Sequence, residues 1–158
     1  YAKYPKFFVF GGLVFTTLSR SYLYSWGGRW YKRAPLLLRY LDFFATFEPE
    51  AAKQKDIIVL AGRLPHGVNA YSESKINEVV THVDGKSVSG ISELVTALEN
   101  SEKEFAIIDF WKSDSPLIIS RKEILKHNTS INKNYGVIPD RWTTGPSVDG
   151  AVNLVGQK

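Results

Sequence analysis

Two apolar runs of strand length, Phe7-Phe8-Val9-Phe10 and Leu13-Val14-Phe15-Thr16-Thr17-Leu18, stand on either side of Gly11-Gly12. Their aromatic and β-branched content around a glycine pair is the pattern of strand, tight turn, strand. The whole apolar stretch Phe7–Phe15 falls far short of the ~20 residues that a membrane-crossing helix requires. It reads as buried strand and turn.

Such a hairpin must be covered by the rest of the chain, and 158 residues are enough for one domain with one core. From Arg20 to about Phe47 the texture turns aromatic and basic, broken at Gly27-Gly28 and Pro35, with Leu37, Leu41 and Phe44 at helical spacing. This predicts an inserted helical segment over about 20–47, made of two short helices around a Gly-Gly turn. Asp56–Ala61 reads as a strand, Arg63–Ser74 as a loop, and Glu78–Val83 as a strand leading into a hairpin at Asp84-Gly85, residues that accept the positive φ of a tight turn. Ile91, Leu94, Val95 and Leu98 fall at i, i+3, i+4 and i+7, which places them on one face of a helix from about Ser89 to Asn100. Phe105–Trp111 and Leu117–Arg121 flank a polar turn and read as a second antiparallel pair. The expectation is an α+β fold with about five or six strands and two helices besides the insertion. Its domain spans 1–127, and a polar C-terminal extension over 128–158 is loose from Thr143 onward.

The inventory excludes several chemistries. The absence of Cys removes disulfides, thiolate nucleophiles and zinc–thiolate sites. His66, His82 and His127 are scattered without metal-ligand spacing, and each reads as a structural or solvated residue. No Ser has the surroundings of a protease or hydrolase nucleophile, so no catalytic residue, metal or cofactor is assigned. Gly11-Gly12 lacks the longer glycine patterns of nucleotide loops. The segment with Tyr22, Tyr24, Trp26, Arg29, Trp30, Tyr31, Lys32 and Arg33 could stack bases, but it reads better as aromatics packing the insertion onto the sheet or a neighbouring subunit. A net charge of +4 is too modest to demand nucleic acid. The chain starts at Tyr1 without any Met, as an excised or processed piece would. The compartment stays open between a bacterial periplasm or envelope and the cytoplasm.

One constellation makes physical sense as a binding site. Consecutive backbone N–H groups in a glycine turn can hold a carboxylate, and an exposed strand beside an amphipathic helix can pair with an extended ligand. That assigns the Phe10, Gly11, Gly12 and Leu13 turn to a terminal carboxylate. Val14, Phe15 and Thr16 then pair with the peptide, and Ile91, Val95 and Leu98 form the side-chain groove.

These residues carry a resemblance. Phe8-Val9-Phe10-Gly11-Gly12-Leu13-Val14-Phe15 resembles the carboxylate loop and second strand of PDZ domains. It is more specifically similar to the opening of the last PDZ domain of plant-type and related bacterial Deg proteases. Ser21–Pro35, with its Trp-Gly-Gly-Arg-Trp-Tyr core, is similar to that subgroup's aromatic insertion. Ile57-Ile58-Val59-Leu60, Asn69-Ala70-Tyr71 and Val80–Val88 come in the family's order, and Ile124-Leu125-Lys126 looks like its closing segment. The resemblance covers about 5–127. It implies a partly open antiparallel barrel or sandwich and a non-catalytic module of an HtrA/Deg trypsin-like serine endopeptidase, regulating proteolysis by binding C-terminal or extended peptides. The partners implied are peptide or protein segments and the adjoining protease and PDZ domains, without nucleic acid or membrane insertion. An alternative role is a homo-oligomer assembly element that docks on a neighbouring PDZ domain.

Overall fold

The computed structural model describes residues 5–143, Glu50 through its backbone alone. β1 (Phe7–Phe10) and β2 (Leu13–Thr17) form the expected hairpin, paired from Phe10↔Leu13 to Phe7↔Thr16. Gly11 and Gly12 both take positive φ, 57° and 80°, the pair of values that a two-residue turn needs if its twist is to match that of the strands.

β3 (Ile58–Arg63), β4 (Val79–Val83), β5 (Lys86–Ser87), β6 (Phe105–Phe110), β7 (Leu117–Ser120) and β8 (Arg141–Trp142) complete an open antiparallel sheet. Its order is β7-β6-β4-β3-β2-β1-β8, with β5 paired to β4. Eight strands stand where five or six are expected, because β5 and β8 are two-residue pieces too short to leave a periodic signature.

The helices cover both faces of the sheet. α1 (Arg20–Leu23), α2 (Trp30–Arg33), α3 (Leu36–Phe44) and α4 (Pro49–Ala52) make up the insertion, more fragmented than the two helices expected. Alternation along the strands separates two cores: Ile58, Leu60 and Val80 pack with α5 (Ile91–Glu99), whereas Val59, Val79 and Trp111 pack with Leu23, Trp30, Leu38 and Leu41 of the insertion. α5 buries Ile91, Leu94 and Leu98, and its start is tied by the Ser89 N–H and hydroxyl, which donate to the Glu93 carboxylate at 2.8 and 2.7 Å. Those hydrogen bonds hold the Glu93 carboxyl below the usual carboxylate range.

Within the stretch Arg63–Ser74 expected as loop, 3-10 turns begin at Gly67 and run to Lys75 with a kink at Asn69, capped by His66, whose Nδ1 accepts from the Val68 N–H. α6 (Arg121–Asn134) runs through the expected domain boundary at 127, so residues 128–142 carry half a helix and a strand. Its inward face holds Ile124, Asn128 and Ile131, at i, i+4 and i+7 with a polar residue in the middle. The tail expected beyond Thr143 lies outside the described residues.

Arg121 joins the layers. Buried to 4% exposure, its guanidinium donates to the carbonyls of Ala97 and Leu98 at the end of α5 and of Lys103 and Phe105 at the start of β6. It also pairs with Asp84 in the β4–β5 turn at 2.5 Å. Burial opposes ionisation of Asp84, but the hydrogen bond from the Ile107 N–H and the guanidinium outweigh it and hold the carboxyl below its ordinary value.

Candidate functional site

The expected carboxylate loop is closed. Gly11 and Gly12 are buried. The Gly11 N–H donates to Asn128 Oδ1 at 2.9 Å, the Gly11 carbonyl accepts from Asn69 Nδ2 at 2.8 Å, and the Gly12 carbonyl accepts from the Leu64 N–H at 2.7 Å. α6 and the segment after β3 therefore cover the turn that was expected to receive an anion.

The expected groove is filled as well. β2 is no edge strand, since it pairs with β1 on one side and β3 on the other, so Val14, Phe15 and Thr16 have no free rung for a ligand. Phe10, Leu13 and Phe15 lie in the core with Ile91 and Leu98, Val95 packs against them half-buried, and the Thr16 hydroxyl donates to the Lys6 carbonyl at 3.0 Å. Phe10, Gly11, Gly12, Leu13, Val14, Phe15, Thr16, Ile91, Val95 and Leu98, expected as a ligand-contacting set, are thus packed or paired within the protein's own fold. Phe10, Leu13, Phe15, Ile91 and Leu98 share one core, and β1 pairs along one side of β2.

The side of β1 away from β2 is also occupied. There β8, arriving from the far end of the described chain, pairs antiparallel with Phe7↔Trp142 and Phe8↔Arg141, and the Val9 N–H donates to the Asp140 carbonyl at 2.8 Å. Arg141 anchors the segment. Its Nη1 donates to Glu99 Oε2 at 2.8 Å and its Nη2 to Oε1 at 2.5 Å, at the last residue of α5. The same guanidinium bonds Asp140 at 2.9 and 3.0 Å and lies 5.0 Å from the centre of the Phe8 ring. The hydrogen bond from Arg141 holds the Asp140 carboxyl below the usual range.

A PDZ domain family model matches residues 1–143. The chain belongs to the PDZ domain family. Comparison with curated proteins gives no significant match. A PDZ domain is a non-catalytic module that binds peptides or other protein segments, and the open antiparallel sheet with helices is its α+β architecture.

Two further surfaces of this PDZ domain are notable. A concavity of about 760 Å³ lies on the face of α5 that carries Ser92 and Thr96, against the β4–β5 hairpin, and neither β1 nor β2 lines it. On the insertion, Tyr31, Leu36, Tyr40, Phe43, Phe44 and Phe47 are exposed, while Trp30 is buried at 5% and stacks on Phe43 beneath the Arg20 guanidinium. Among the described residues no helix is long and apolar enough to cross a membrane.

Sequence reasoning missed β8 and Glu99. An Asp-Arg-Trp triplet after a proline is a weak strand signal, and nothing local says that it returns to the first strand.

Proposed function

We propose that this PDZ domain engages extended protein segments by antiparallel strand addition to the outer edge of β1, as a regulatory module of an HtrA/Deg-type serine endopeptidase. One observation carries the binding mode: a segment distant in sequence already lies there as a strand, held by β1 backbone groups and by the end of α5. Main-chain pairing supplies affinity in such recognition, and side chains beside the strand supply selectivity. The protease context is supported by the Deg-like Phe-Gly-Gly-Leu-Val-Phe stretch and the aromatic insertion. The covered Gly11-Gly12 turn favours internal segments over chain termini. The test is an NMR titration with an extended peptide and its amidated twin. Equal affinity for the two, with shifts at the Phe7 and Val9 amides, is expected. Unmoved β1 amides sink the strand-addition reading, and a strong preference for the free acid reopens terminal capture.

The exposed rings of the insertion favour a second reading, assembly against a neighbouring PDZ domain. Phe44→Ser should shift sedimentation toward monomer with stability changed by less than about 1 kcal/mol, as is usual for exposed positions. A wild-type chain that stays monomeric at high concentration counts against it.

A further inference from the structure

β8 is a sample of what the β1 edge accepts, and its anchoring chemistry is specific. Main-chain pairing alone would place any extended segment there. What distinguishes this one is a cation at the position opposite Phe8, which the structure holds from three directions: a two-pronged pair with Glu99, contacts with Asp140, and the face of the Phe8 ring. Asp140 travels with the strand, whereas Glu99 and Phe8 stay with the domain. Apart from β8, the domain itself supplies a carboxylate and an aromatic face, both of which favour a cation.

We infer that the β1 edge selects extended segments carrying an arginine opposite Phe8, an inference that rests on the strand-addition reading above. A guanidinium is planar and presents paired N–H groups that match both oxygens of Glu99 while lying against a ring. A lysine ammonium supplies the charge without the fork, an alanine supplies neither, and a glutamate brings a like charge to Glu99. The ligand class is therefore an internal, arginine-bearing stretch of protein with no requirement for a free carboxyl terminus.

The experiment uses the full chain with Arg141→Ala, which loosens the resident segment without altering β1 or Glu99. Labelled, end-blocked Ile-Pro-Asp-Arg-Trp-Thr is titrated by fluorescence anisotropy, beside versions with Lys, Ala or Glu in place of the arginine. The arginine peptide should bind tightest, with lysine about threefold and alanine about tenfold weaker and glutamate weaker still. Adding Glu99→Gln to the chain should shrink the arginine-to-alanine ratio to about twofold or less. If all four peptides bind alike while the Phe7 and Val9 amides shift, the arginine inference is overturned and strand addition stands. If none binds and those amides do not move, strand addition itself fails and the inference fails with it.

Discussion

The turns at Gly11-Gly12 and Asp84-Gly85 share nearly one backbone conformation, with φ of 57° and 80° in the first and 52° and 78° in the second. Their surroundings are opposite. A Cβ on Gly12 would lie 2.5 Å from Asn69 Nδ2 and 2.6 Å from the Leu64 carbonyl oxygen, and one on Gly11 would lie 2.6 Å from the Ile124 side chain. A Cβ on Gly85 would meet nothing within 4 Å. One turn is glycine for want of space as well as for its dihedrals, and the other for dihedrals alone. The lesson is that a turn's shape is local, while its availability to a ligand depends on what the rest of the chain lays over it.

The largest effect should come from the polar half of the exposed turn. Arg121→Ala leaves the half-buried Asp84 carboxylate without its cation and four backbone carbonyls without their donor, and should cost about 3–5 kcal/mol, read from denaturant midpoints. A loss under about 1 kcal/mol would mean that the turn is as independent as its open side suggests. Gly12→Ala comes next, at about 3 kcal/mol, because strained φ adds to a clash with backbone and a buried amide. Gly11→Ala should cost less, about 2 kcal/mol, since Ile124 can shift its side chain.

Acid should separate the turns further. The lowered carboxyl of Asp84 gives stability that is full above its unfolded value of about 4 and is lost as pH falls through the folded value. Asp84→Asn should therefore flatten the acid limb of a stability–pH profile, whereas Gly11→Ala should leave its slope unchanged. Gly85→Ala should be mildest, about 1 kcal/mol for the dihedral alone.

The same contrast explains what could be read from the residues. The Asp84-Gly85 hairpin, the helix through Ile91, Leu94 and Leu98, and the β1–β2 pair arise from short-range periodicity and turn chemistry, and each stands where expected. The site was not legible in that way, because it depends on three long-range events. Asn128 on a largely polar helix reaches the Gly11 amide, Asn69 clamps the Gly11 carbonyl, and a two-residue strand returns from position 141 to Phe8. The Ile124, Asn128, Ile131 spacing could have extended α6 beyond 127 had one polar member been allowed on a buried face. For β8 no comparable local signal exists.

Arg121 has a reach beyond the turn it neutralises. By gripping the carbonyls of Ala97 and Leu98 it prevents the last turn of α5 from fraying, and Glu99 is the very next residue. On the strand-addition proposal, the helix end that carries the acceptor is held in place independently of any strand on β1, which would reduce the ordering entropy lost on contact. A guanidinium hidden in the interior acts as a ruler for one engaged at the surface.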